Sequence, residues 1–178
     1  MRKYDEIEGD LITYAREGKF DVIVHGCNCF CQMGAGLAPQ MAKAFGCDQY
    51  KLEQNNYKGD INKLGQIDYE TFVLSPDGKR STSWVSDTLP QNSFVITVIN
   101  AYTQYKYGIN HSDGNNKPID YEALTLCMRK INKKFNNQRI GLPQIGAGLA
   151  QGNWNRIKNI IQSELLDCDV TVVIFKKS

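Results

Sequence analysis

Residues 23–46 read IVHGCNCFCQMGAGLAPQMAKAFG: an apolar strand end, three alternating cysteines, a glycine-rich turn, then apolar or small residues at helical spacing until Gly46 breaks the pattern. Strand, turn and helix in that order are the unit of an α/β sheet, so this stretch decides the fold class. The pattern continues on both sides. Upstream, residues 3–7 suit a first strand, Asp10 caps a helix over residues 11–19 that Gly18 helps to end, and residues 20–24 (FDVIV) form the clearest early strand. The helix after the turn covers residues 37–45, and residues 50–57 extend the helical region.

Further along, residues 65–89 alternate apolar and polar around Pro76, Asp77 and Gly78, which predicts a hairpin at the sheet periphery. The β-branched run SFVITVIN (residues 93–100) is apolar enough for a buried central strand. A polar loop over residues 104–118 separates it from a helix over residues 121–135. Residues 139–142 form a short strand, residues 154–166 a helix with Ile157, Ile160, Ile161 and Leu165 on one face, and residues 170–175 a closing strand. This β/α order with an antiparallel edge predicts a three-layer α/β/α sandwich around a mixed central sheet, in one domain spanning residues 1–178.

Composition narrows the function. The chain has 178 residues, 42% hydrophobic and 22% charged, as expected for one globular core. Twenty-one basic against nineteen acidic side chains give a net charge of +2 without a polybasic block, so charge announces neither a nucleic-acid surface nor a membrane surface. The N-terminus, MRKYDEIEGD, lacks an apolar signal region and no segment is long enough to span a bilayer, which places the expected location in the cytoplasm. Six cysteines are too few for a disulfide scaffold at this length and are read as reduced thiols.

The pentapeptide GAGLA occurs twice, at residues 34–38 and 146–150, each time after an apolar strand and before a helix. Such loops lie at the carboxyl ends of the strands, where glycines let backbone amides close on anionic oxygens, and two of them suit a diphosphate gripped from both sides. Tight turns also need glycine for conformational reasons alone, so the loops by themselves leave both readings open. No GxxxxGK[ST] string is present, which excludes a Walker A site. Gly146, Gly148 and Gly152 make GxGxxxG, but no later strand remains to end in the ribose-binding acid of a dinucleotide fold.

Four segments, IEGDLI (7–12), VIVHGCN through MGAGLA (22–38), VINAYTQ (98–104) and GLPQIGAGLAQGNW (141–154), resemble the macro domain, an ADP-ribose-binding module, in order over nearly the whole chain. Within that family the sequence is most similar to the branch of ADP-ribose 1''-phosphate phosphatases with their bacterial and phage relatives. The resemblance implies that Asp10 accepts the adenine amine and that the Leu11 amide meets a ring nitrogen, although Asp10 is equally a helix N-cap. It implies that Asn28 meets the distal ribose, that Gly34, Ala35, Gly36 and Leu37 line the distal ribose and diphosphate, and that Ala101 and Tyr102 border them. Gly146, Ala147, Gly148, Leu149 and Ala150 form the second phosphate clamp on the same basis.

The departures from the family bear on chemistry. Hydrolases that strip ADP-ribose from proteins carry an aspartate where this chain has Ala38 or Pro39, and another branch carries a lysine and an acid where this chain has residues 100–103 and Ala150. His25 stands ahead of the ribose asparagine, and His25 with a water held by Asn28 are the candidate catalytic groups, beside the plain reading of His25 as a hydrogen-bonded structural residue. His111 falls in a loop. Cys27, Cys29 and Cys31 lack the CxxC spacing of a zinc knuckle, so no metal and no cofactor are expected, and a catalytic cysteine has no support in the pattern. At least one of Tyr102, Tyr105 and Tyr107 is expected to serve in part as a lid over the cleft, while Trp84 and Trp154 read as packing residues. The expected function is phosphatase action on ADP-ribose 1''-phosphate. The alternatives are a non-catalytic reader of ADP-ribose or of ADP-ribosylated macromolecules, and an ADP-ribosyl hydrolase with atypical residues.

Overall fold

Along strand β2 (Val22–Asn28), Val22 and Val24 face one core layer and Ile23 the other, the period-2 alternation of a strand buried on both faces. Around it the computed structural model describes residues 3–49, 59–82, 89–106 and 116–176. The chain order is β1 (Tyr4–Gly9), α1 (Leu11–Arg16), β2, α2 (Ala38–Phe45), β3 (Ile67–Leu74), β4 (Arg80–Ser81), β5 (Phe94–Gln104), α3 (Tyr121–Lys134), β6 (Arg139–Leu142), α4 (Trp154–Glu164) and β7 (Asp169–Phe175), with short 3-10 turns at Cys47–Gln49 and Ile61–Lys63. The strands form one sheet in the order β1-β7-β6-β2-β5-β3-β4. Pairing is parallel from β1 through β5 and antiparallel for β3 with β5 and with β4, so the sheet is mixed.

Two apolar layers cover the sheet. Leu124, Met128 and Ile131 of α3 and Ile157 and Ile161 of α4 pack on one face, and Leu11, Ile12 and Ala15 of α1 with Met41 and Phe45 of α2 pack on the other. This is the three-layer α/β/α sandwich that the β/α order predicts.

Boundaries differ where caps and pairing decide them. Helix α1 stops at Arg16 rather than residue 19, because Gly18 adopts φ +77° and the Lys19 amide reaches back to the Tyr14 carbonyl at 3.1 Å. The hairpin turn lies at residues 75–78 as expected, and among the described residues its returning strand is Arg80–Ser81. Strand β5 runs four residues past the expected end, to Gln104, because β2 continues to pair with it as far as Gln104 and β3 as far as Ala101. The helical extension over residues 50–57, Trp84, Tyr107 and His111 lie outside the described residues. No helix among the described residues is long and apolar enough to cross a membrane, and the six cysteines are all free thiols.

Candidate functional site

The carboxyl ends of the adjacent parallel strands β6, β2 and β5 open onto one cavity of about 1020 Å³, at the upper end of the range typical of small-molecule sites. The two GAGLA loops form much of its wall: Gly34, Ala35, Gly36, Leu37 and Ala38 on one side, Gly146, Gly148, Leu149 and Ala150 on the other. The loops approach each other, since a Cβ placed on Gly36 would lie 3.4 Å from Leu149 Cδ1. At Gly34 and Gly148 an added Cβ would meet no atom within 4 Å, so both backbones stand open to the cavity.

The amides are what this wall offers. The N–H groups of Gly34, Ala35, Gly36 and Leu37, and those of Gly148, Leu149 and Ala150, have no acceptor among the described residues. Leu37 caps α2 without a side-chain bond and Pro39 occupies the first turn, which leaves that helix start electropositive. Ala147 departs from the expected clamp. Its amide turns back to the Gln144 carbonyl at 3.1 Å and its side chain packs against the core.

The described lining contains no aspartate, glutamate, lysine or arginine. It is finished instead by polar groups that the sequence motifs did not single out, notably Gln32, Thr103, Gln104, Asn116, Gln144 and Gln151. Their signal is weak: each is an ordinary polar residue in a strand end or a connecting loop, and only the meeting of three strand ends makes them neighbours. Lys117 stands beside this wall, its Nζ 3.3 Å from Gln151 Oε1.

Asn28 lines the cavity, but its side chain is engaged within its own loop. Oδ1 accepts from the amides of Phe30 (3.0 Å) and Gln32 (3.2 Å), and Nδ2 donates to the Gln32 carbonyl at 3.1 Å. A register shift between Cys27 and Asn28 ends the β2–β5 ladder at this point and starts the turn.

His25 touches the cavity wall while remaining 2% exposed. Asn100 Nδ2 donates to the Cys47 carbonyl at 2.8 Å, so its Oδ1 faces His25, and Nε2 carries the imidazole proton across a 2.6 Å contact. Burial lowers the pKa of His25 from 6.5 to about 4, against the opposing effect of the Asn100 bond. The ring is therefore neutral near pH 7. Burial likewise raises the thiol of Cys27, the one cysteine in the wall, well above its ordinary value, and brings Cys29 and Cys47 to about 12.

The structure places three further sets of expected residues. Ala101 and Tyr102 are fully buried within β5 and do not line the cavity; Thr103 and Gln104 border it instead, because the strand continues past the expected end. Tyr102 points its hydroxyl to Asp68 Oδ2, and Tyr105 donates to the Gly59 carbonyl at 2.7 Å while packing edge-on against Phe30, so neither is a lid. Asp10 caps α1, its Oδ1 accepting from the Thr13 amide at 2.8 Å, and Leu11 is buried in the core. Both sit at the carboxyl end of β1, on the cavity's edge of the sheet but outside its wall.

No family model matches the chain. It is 31% identical over 176 residues to the uncharacterized 17.5 kDa protein in the tk-vs intergenic region of Enterobacteria phage T4, covering 94% of this chain and 93% of that protein. It is 25% identical over 179 residues to the ADP-ribose glycohydrolase OARD1 of Bos taurus (96% and 95% covered) and 20% identical over 181 residues to the ADP-ribose 1''-phosphate phosphatase of Meyerozyma guilliermondii (97% and 100%). Among solved structures, the macrodomain of Mycobacterium tuberculosis DarG superposes with a TM-score of 0.58 at 20% identity over the full length of both chains. Thermosipho africanus DarTG in complex with ADP-ribose superposes with a TM-score of 0.62 at 14% identity over 98% of this chain and 42% of that one.

Proposed function

We propose that the chain, which shares the macrodomain fold of DarG and is similar along its length to ADP-ribose-processing relatives, is a single macro domain that binds ADP-ribose in the cavity at the ends of β6, β2 and β5. The observation that carries this reading is the pair of facing loops whose amides have no acceptor among the described residues, across a wall without described acids. A diphosphate brings acceptor oxygens and negative charge to two rows of fixed donors, and no carboxylate among the described residues of that wall repels it. Asp10 and the Leu11 amide, at the end of β1 two strands beyond β6 along the sheet edge, are the candidate adenine contacts, and the ribose sits against the Asn28 turn. The six free thiols fit a reducing, cytoplasmic setting.

The finer proposal is phosphatase action on ADP-ribose 1''-phosphate. The loop amides are placed to stabilise charge developing on the transferring phosphoryl oxygens, and the carboxamides of Gln32, Gln104 and Gln144 are candidates to orient a water. His25 and Asn28, the expected catalytic pair, support this chemistry by holding the floor and the turn, since neither presents an uncommitted polar group suited to acid–base work at neutral pH. The competing reading is a non-catalytic reader of ADP-ribose or ADP-ribosylated macromolecules, favoured by the lack of a charged catalytic group in the described lining.

Calorimetric titration with ADP-ribose, run beside an assay of phosphate release from ADP-ribose 1''-phosphate, separates the two. Binding with release is the expected result. Binding without release makes the protein a reader, and no binding removes the proposal altogether.

A further inference from the structure

Beneath the first loop lies a charged cluster that the cavity does not use. Lys63 and Asp68 are 4% and 5% exposed, Tyr102 is fully buried, and none of the three lines the cavity. They meet at Cys31. Its sulfur lies 3.9 Å from Lys63 Nζ and 3.4 Å from the Tyr102 hydroxyl, which in turn donates to Asp68 Oδ2. Because that hydroxyl has given its proton to Asp68, the Cys31 thiol is the donor in the remaining contact. The donors therefore run one way, from the Lys63 ammonium to the Cys31 sulfur, from its S–H to the Tyr102 oxygen, and from its O–H to the Asp68 carboxylate. Each link polarises the next in a low-dielectric interior.

The chain of donors grips an unusual residue. Cys31 adopts φ +53°, the left-handed region that residues with a Cβ enter rarely and keep only when their surroundings hold them there. It also sits at a pivot. The Asn28 turn closes just before it, with the Cys31 amide bonded to the Asn28 carbonyl at 3.0 Å, and the cavity wall resumes at Gln32, Met33 and Gly34 just after it. A change of φ at Cys31 strains the Asn28 bonds that pin Gln32 and shifts the loop beyond it, toward the start of α2. Apolar residues would fill the space behind the loop without burying two charges, which is why packing alone does not account for the cluster.

We propose that Lys63, Tyr102 and Asp68 are positioning residues for ADP-ribose: through Cys31 they hold the loop so that the amides of Gly34, Ala35, Gly36 and Leu37 face the cavity. This rests on the ADP-ribose reading above. Tyr102→Phe keeps the ring and removes the link. It is expected to raise the Kd for ADP-ribose about five- to tenfold, the scale of one hydrogen bond.

Cys31 supplies a readout that needs no ligand, being the only one of the six cysteines that is not buried. In the unliganded protein its alkylation by iodoacetamide, followed by mass spectrometry, should accelerate several-fold in Tyr102→Phe. Cys31→Ser, which preserves the relay, should bind like wild type, whereas Cys31→Ala should weaken binding as Tyr102→Phe does. An unchanged alkylation rate in a folded Tyr102→Phe overturns the proposal, as does wild-type affinity in Cys31→Ala. If Tyr102→Phe fails to fold, Lys63→Met is put to the same two tests with the same expected results. Failure of wild type to bind ADP-ribose would remove the functional reading, while the alkylation comparison would still decide whether the relay holds the loop.

Discussion

Acidification should weaken this fold through His25 in a way that a single substitution removes. The imidazole is 2% exposed and its Nε2 donates to Asn100, so protonating the ring means placing a charge in the interior. Burial puts its folded pKa at about 4, against 6.5 for the unperturbed group. Between those two values the unfolded chain holds a proton that the folded chain refuses, so stability is complete above about pH 6.5 and declines as pH falls toward about 4. The size follows from the gap: roughly 1.4 kcal/mol per unit gives about 2 kcal/mol lost by about pH 5 and about 3 kcal/mol at the lower limit. Urea denaturation of wild type and His25→Gln at about pH 7.5 and about pH 5 measures it. Other groups titrate over that range in both proteins, so the difference of differences isolates His25, and wild type should lose about 2 kcal/mol more than the variant. Equal losses, or a smaller loss in wild type, would mean that the folded protein accommodates the imidazolium, and the exclusion of His25 from acid–base chemistry would fall with it.

Gly148→Glu should leave the melting temperature unchanged, since an added Cβ there meets no atom within 4 Å, yet abolish ADP-ribose binding by calorimetry through a carboxylate in the anion site. Asp10→Ala separates two roles: loss of the cap to Thr13 should lower stability by about 1 kcal/mol, and loss of an adenine contact should weaken binding by about 2 kcal/mol beyond that; an unchanged Kd would leave Asp10 as a cap alone. Asn28→Ala removes three hydrogen bonds within the turn and should weaken ADP-ribose binding with a stability loss of about 1–3 kcal/mol, while unaltered binding would show that the turn does not shape the site. If phosphate release is found, no protein group of the described lining should impose an inflection on its rate between about pH 5.5 and about pH 8, because His25 and Cys27 both stay neutral there, and any change near about pH 6 should track the second ionisation of the substrate's own phosphate, at about 6.

The sequence by itself determined the layers, the element order and the two glycine loops, because these rest on local physics. Apolar alternation sends Val22 and Val24 one way and Ile23 the other, Asp10 and Asp120 cap helices whose first turns they precede, and Gly46 ends α2 in the left-handed conformation. What pairs with what was left to the tertiary structure. The four residues from Ala101 to Gln104 carry no sign of whether β5 continues; the ladder of β2 extends it, and that extension buries Tyr102 and puts Thr103 and Gln104 at the cavity in place of Ala101 and Tyr102. His25 reads as an available acid–base group until Asn100, distant in sequence but paired with it across the sheet, takes its proton donor and burial removes its charge. Lys63 and Asp68 give no signal in the chain and Cys31 none for this role, because a relay of side chains from a 3-10 turn, a strand and a loop exists only once the fold has brought those segments to one place.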